Sequence, residues 1–214
     1  MSIATVQNAT LNTFQKDSAC DAEFATTLTG TVSSSDTTVT GTGTAFTSEL
    51  KKGDYVGIIT KGYRKVTAIA NDTSLTVSAG FDSPLAGETI KKTETKKGFP
   101  KNVNLTEVGK TLRVAFATAT EGDREIPDVN VQVIYGFLLI VAFYEPDEDE
   151  AEARKSLYDK LVHDVVDKNP SFGGITMGIT ESGKMTFAEH PDSEGLYYGV
   201  CPLIVTAMET VGNR

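Results

Sequence analysis

The sequence predicts an α+β protein: a mixed or antiparallel sheet with packed helices, together with a small all-β barrel or sandwich. Three observations lead there. Residues 26–92 are rich in Thr, Gly and Val and place apolar residues on alternate positions of short runs, the period of half-buried strands. DEDEAEARKSLYDKLVHDVVDKN, from Asp147, sets apolar residues at helical spacing behind an acidic start. Two long apolar stretches, VNVQVIYGFLLIVAFYEP from Val129 and LYYGVCPLIVTAMETV from Leu196, read as strands.

In chain order, Ser2 is a usable N-cap, and Ile3, Val6, Thr10 and Phe14 fall at roughly helical spacing, so a helix is expected over residues 2 to about 20. TGTVSSSDTTVTGTG then reads as strand, turn and strand, with Ser34-Ser35-Asp36 supplying the turn between Val32 and Val39. AFTSELKKGDYVGII gives a short helical turn, a bend at Gly53-Asp54 and a strand. YRKVTAIANDTSLTVSAGF is a hairpin bending at Asn71-Asp72, and GETIKKTETKK is a last strand running into a basic link. Five or six short strands are expected in all.

From Gly98 the texture changes. VNLTEVG is a short strand and KTLRVAFATATEG a longer one, with Arg124–Asp128 as the link to the apolar strand. There Val129, Val131, Val133 and Tyr135 take alternate positions before residues 137–143 become continuously apolar, which marks a strand entering a core or an interface. Pro146 ends it. The helix that follows carries Leu157, Tyr158, Leu161, Val162 and Val165 on one face and stops at Lys168 and Asn169-Pro170. SFGGITMGITESGKMTF supplies Gly-rich turns and a hairpin before the closing strand.

A chain of 214 residues with 39% hydrophobic content supports one large or two modest domains. A net charge of -9 argues against unassisted binding to duplex nucleic acid, although carboxylates lining a pore let DNA slide. Cys20 and Cys201 have no metal-ligand spacing; they are two small buried hydrophobes or a disulfide. The start MSIATVQNAT lacks the features of a signal peptide, and the seven apolar residues 137–143 are too short to span a bilayer as a helix, so a soluble cytosolic product with no membrane partner is expected.

No enzyme constellation is present: there is no GxSxG, GxxxxGK[ST] or HExxH. Gly41-Thr42-Gly43 lacks the Lys and helix of a phosphate cradle. His163, near Asp159, Asp164 and Asp167, reads as a helix-surface ion pair rather than a general base, and His190, between Glu189 and Asp192, as an exposed turn. Lys91, Lys92, Lys96, Lys97 and Lys101 read as a solvated linker. No catalysis, cofactor or metal is expected.

YGFLLIVAFYEPDEDEAEARKSLYDKLVHDVVDKNPSFGGI and GLYYGVCPLIVTAMETVGNR follow an order of strand, acidic loop, amphipathic helix ending at Asn-Pro, Gly-containing segment and aromatic-rich closing strand. This order resembles the tail terminator (tail completion, neck) proteins of long-tailed bacteriophages over residues 99–210. TTVTGTGTAF and NDTSLTV are similar to small Thr/Gly-rich β domains of phage structural proteins.

The resemblance implies a discontinuous ring-forming domain, residues 1–25 and 98–214, with residues 26–97 as an inserted β module and basic linker. It implies a homo-oligomeric ring, a hexamer in that family, that caps the tail tube, ends its polymerisation and offers the docking surface for the head connector. Partners are then further copies of the chain, the tail tube protein and the neck or connector protein, with DNA only passing through a lumen; the location is the virion, assembled in the host cytoplasm. Candidate lumen or interface carboxylates are Glu121, Asp123, Glu145, Asp147, Glu148, Asp149, Glu150 and Glu152, which are otherwise a solvated turn and helix start. Phe137, Leu139, Val141, Phe143, Tyr197 and Tyr198 are core or subunit-interface residues. The alternatives are another neck or baseplate ring protein, or a surface module in which residues 26–92 bind carbohydrate through Tyr55, Tyr63, Phe46 and Phe81.

Overall fold

The structure, a computed structural model, describes residues 3–100, 109–121, 130–172, 174, 178–181, 184–191 and 193–210. It is an α+β protein with a curled, half-barrel antiparallel sheet and a second, mixed sheet. The chain divides into two compact units, Phe14–Thr95, and Met1–Thr13 with Lys96–Arg214.

The single opening helix becomes two, α1 (Ile3–Lys16) and α2 (Ser18–Phe24). The break falls at Asp17, whose carboxylate accepts from the backbone N–H groups of Ala19 and Cys20 at 2.9 and 3.1 Å and so starts a new helix. Val6, Thr10 and Phe14 are buried as their spacing predicts, but Ile3 is exposed. Ser2 lies outside the described residues.

Within Phe14–Thr95 follow β1 (Ala25–Thr27), β2 (Thr31–Ser34), β3 (Thr38–Thr42), α3 (Phe46–Glu49), β4 (Tyr55–Ile58), β5 (Gly62–Asn71), β6 (Ser74–Val77), β7 (Leu85–Glu88) and β8 (Lys91–Thr93). They form one eight-stranded sheet in the order β1-β8-β4-β5-β6-β3-β2-β7, curled into a half-barrel; of the barrel or sandwich of five or six strands expected, the barrel is the nearer, with more strands. One addition comes at the start: residues 25–27, not expected as a strand, pair antiparallel with 91–93, part of the stretch expected as the last strand. Strand alternation points Val32, Val39, Val66, Leu75 and Val77 inward, where they join Phe46, Leu50 and Val56 in one core.

The two Thr/Gly stretches meet. Gly41 N–H donates to the Thr73 carbonyl at 2.8 Å, and the Thr44 hydroxyl to that of Asp72 at 2.5 Å. Thr47 donates to the Asp72 carboxylate through both its backbone N–H (3.0 Å) and its hydroxyl, so the hairpin tip caps α3. Gly41 is required because a Cβ there would lie 2.1 Å from Thr44 Oγ1. The Gly-Thr repeat is therefore packing chemistry.

Asp21 is a buried carboxylate of this unit: it accepts from the Tyr63 hydroxyl and pairs with Lys91, tying α2 to β5 and β8. Burial, then the Asp21 hydrogen bond, push the Tyr63 phenol far above its ordinary value. The supposed basic linker is committed in the same way, with Lys92 Nζ 3.4 Å from Asp54 and 3.6 Å from Glu94.

The second sheet contains β9 (Thr95–Lys97), β10 (Lys110–Glu121), β11 (Asn130–Tyr144), β12 (Gly178–Glu181), β13 (Thr186–Glu189) and β14 (Leu196–Thr210), in the order β12-β14-β11-β10-β9 with β13 also on β14. Among the described residues the strands of the hairpin expected in 171–187 each pair with β14. They lie one after the other along it, β12 against 203–206 and β13 against 197–200. The long helix is α4 (Glu148–Lys168). Tyr158, Leu161, Val162 and Val165 are buried together with Ala151 and Val166, but Leu157 stands 46% exposed because it falls one position off that stripe. The strand expected at 103–109 and the Arg124–Asp128 link lie outside the described residues, apart from Gly109. Among the described residues no helix is long and apolar enough to cross a membrane.

Gly57→Ala is expected to destabilise the protein by about 1–3 kcal/mol, because its Cβ would lie 2.2 Å from the Gly62 carbonyl oxygen, a backbone atom that no rotamer change moves. Gly80→Ala, whose Cβ meets nothing closer than 4.0 Å, is the control, and denaturant titration reads both. Hydrogen bonds from Thr47 hold the Asp72 carboxyl below its ordinary value; Lys16, opposed by burial and aided by Arg64, does the same at Asp82. A depressed folded-state value means stability present above the ordinary carboxylate range, about pH 4, and lost as pH falls through and below it. Thermal scans from neutral to acid pH are expected to show that loss, and Asp72→Asn to make it shallower.

Candidate assembly face and acidic cluster

The register of the central strand pair decides where each candidate side chain goes. β11 pairs antiparallel with β14 from Asn130↔Thr210 to Tyr144↔Leu196 without a shift. Odd-numbered residues of both strands therefore share one face and even-numbered residues the other. On the odd face Phe137, Leu139, Val141, Phe143 and Tyr197 are all buried. Tyr158 of α4 meets Phe143 edge-on at 5.1 Å between ring centroids, and Tyr197 stacks on Phe143 at 5.3 Å. Five of the six aromatic and apolar candidates are thus core. Tyr198, on the even face, is half-buried and sits beside His190.

The even face is different, and the sequence reading missed it. Ile140 and Ala142 are buried, yet Ile134 and Ile204 are each 38% exposed, Pro202 is exposed, and Leu138 and Val200 are half-buried. Ile134 pairs with Thr206 and Ile204 with Gly136, so the two isoleucines are diagonal neighbours. From Ile134 to Tyr144 and from Leu196 to Thr206 no even-numbered position carries a charge. A solvated face of an antiparallel sheet ordinarily alternates to polar residues. The signal available in the sequence was the absence of charge on both parities of 129–144, read there as a strand entering a core or an interface without separating the two faces.

The carboxylates separate into bound and solvated groups. Glu145 is half-buried, with Arg154 Nε 3.0 Å from its Oε2. Asp147 is the N-cap of α4 and accepts from Glu150 N–H at 3.0 Å. Glu152 pairs with Lys155 at 2.6 Å, and the Lys155 ammonium lies 4.2 Å above the Tyr197 ring centroid. Glu148, Asp149 and Glu150 are exposed in the first turn, favoured there by the helix dipole. Burial and then the Glu189 carboxylate raise the Tyr197 phenol above its ordinary value, with Lys155 pulling the other way. Glu121 ends β10, and Asp123 lies outside the described residues.

Chemistry-bearing residues elsewhere are not brought together. His163 Nδ1 is 2.6 Å from the Asp159 carbonyl and 3.5 Å from its carboxylate, while that carboxylate accepts from Met185 N–H at 2.8 Å. Cys20 and Cys201 are both buried, and neither forms a disulfide. Among the described residues no group of three or more His, Cys, Asp or Glu is placed to hold a metal ion. Of the aromatics a carbohydrate platform would use, Phe46 and Tyr63 are buried, Phe81 packs against the core and Tyr55 is half-buried. No family model, curated protein or solved structure matches the chain.

Asp147→Ala is expected to cost about 1 kcal/mol by removing the cap of α4, whereas Asp149→Asn, at an exposed position, is expected to be nearly silent. Thermal unfolding of the two variants separates the structural carboxylate from the solvated one.

Proposed function

We propose that the protein is a structural ring subunit of a bacteriophage virion, one that caps the tail tube, ends its polymerisation and presents the docking surface for the head connector. The reading rests on the order of elements in residues 99–210, and one structural observation carries it furthest: the uncharged, part-exposed even face of β11 and β14. A chain with net charge -9 repels its own copies wherever carboxylates oppose each other. A contact through a face without charge avoids that opposition and buries Ile134 and Ile204. Head-to-tail contact around a closed axis then gives a ring.

The exposed Glu148, Asp149 and Glu150 supply a surface that DNA slides past without binding. The solvated carboxylates, rather than Glu145 and Asp147, are the candidates for a lumen. The partners in this reading are further copies of the chain, the tail tube protein and the connector, and no catalytic step is involved. A ring at the neck or at the baseplate satisfies the same contacts.

Native mass spectrometry with negative-stain imaging is expected to show a closed ring of about six copies. Ile134→Asp combined with Ile204→Asp is expected to give a folded monomer, since both side chains already touch solvent. A wild-type protein that stays monomeric at high concentration and on added tail tubes overturns the reading. So does a ring that the double variant leaves intact, as far as this face is concerned.

A further inference from the structure

We propose that the unit Phe14–Thr95 holds one ordered water molecule between the side chains of Gln15 and Thr95. Gln15 and Thr95 are 2% and 1% exposed. The Gln15 amide is fixed by its Nε2–H group, which donates to the Thr95 backbone carbonyl at 2.8 Å. That bond assigns Oε1 as the remaining acceptor. Among the described residues neither Gln15 Oε1 nor Thr95 Oγ1 has a hydrogen-bond partner, and both atoms are fully buried.

Neighbouring groups along the same stretch have partners. Thr95 N–H donates to Thr93 Oγ1 at 3.1 Å, and the Thr93 hydroxyl donates to the Phe24 carbonyl at 3.4 Å. Glu94 N–H donates to the same carbonyl at 2.8 Å. What is left is one carbonyl oxygen, which only accepts, and one hydroxyl, which does both.

A buried amide oxygen without a donor is costly, and native interiors answer such groups with internal water. Water donates one hydrogen to Oε1 and bonds Oγ1 with its other hydrogen or a lone pair. The two atoms are neutral, so they offer an anion no cationic donor and are too few to hold a hard cation. The bridge completes a polar seam between the incoming segment of the unit, residues 15–24, and its outgoing segment, residues 93–95.

The test uses the direct bond's geometry. That bond goes to the backbone carbonyl of residue 95, so Thr95→Val leaves it in place and removes only the hydroxyl. Valine also favours a strand, so without a bridge the variant should be as stable as wild type or more so. With the bridge, Thr95→Val is expected to lower Tm by about 5 °C, Thr95→Ser to restore most of it, and the loss to shrink in a Gln15→Met background. An unchanged or raised Tm for Thr95→Val, or strict additivity with Gln15→Met, overturns the proposal. If Thr95→Val does not fold, wild-type crystals at a resolution that shows ordered solvent decide: a water within hydrogen-bond distance of both atoms supports the bridge, and empty density rejects it.

Discussion

The unit built from Lys96–Arg214 depends on the uninterrupted pairing of β11 with β14. A slip of one residue would turn Tyr135, Phe137, Leu139 and Phe143 to the other face and bring Ile134, Gly136 and Leu138 beneath α4. Packing forbids that slip. Phe143 is held between Tyr158 and Tyr197, and Gly199 leaves the space that Phe187 and Met185 fill, where a Cβ would lie 2.3 Å from the first and 2.6 Å from the second. Because the register is locked, the uncharged even face cannot withdraw into the core. Its part-exposed isoleucines are a consequence of how the other face is satisfied.

The unit Phe14–Thr95 obeys a different constraint, the joining of its two chain ends. β1 pairs with β8, Leu28 N–H donates to the Ile90 carbonyl at 3.0 Å and Glu94 N–H to that of Phe24 at 2.8 Å. Asp21, Tyr63 and Lys91 add a charged clasp. Leaving and returning chain therefore run side by side, which is how a segment occupies the middle of another domain's sequence at little entropic cost. Its core is small aliphatic residues around Phe46, and polar devices supplement it: the Asp72 cap, the Arg64–Asp82 and Lys61–Glu88 pairs, and the Gln15–Thr95 seam.

Local patterns were legible and long-range partners were not. The bends at Ser34-Ser35-Asp36 and Asn71-Asp72, the short helix at Phe46, the start of α4 at Asp147 and both long strands follow from turn chemistry, capping and periodicity within a few residues. The break at Asp17 was legible too, as an aspartate ahead of Ser-Ala-Cys, but the surrounding helical spacing masked it. Edge strand β1 escaped notice because a three-residue strand carries no periodicity; its pairing with β8 is set by closure of the sheet. The placement of β12 and β13 end to end on β14 likewise depends on the length of β14. At the candidate site the sequence identified the apolar strands and the acidic turn. It could not tell which parity is covered, nor that Glu145 and Glu152 are engaged by Arg154 and Lys155 on the same helix.

Amide hydrogen exchange read residue by residue tests the central pairing most directly. The account predicts that the slowest amides of the Lys96–Arg214 unit cluster at the middle of the ladder, residues 137–141, 199–201 and 203, Pro202 having no N–H, and open only with global unfolding. Exchange there as fast as in the short strands β12 and β13 would contradict it, because a face presented by a loosely paired strand has no fixed register to present.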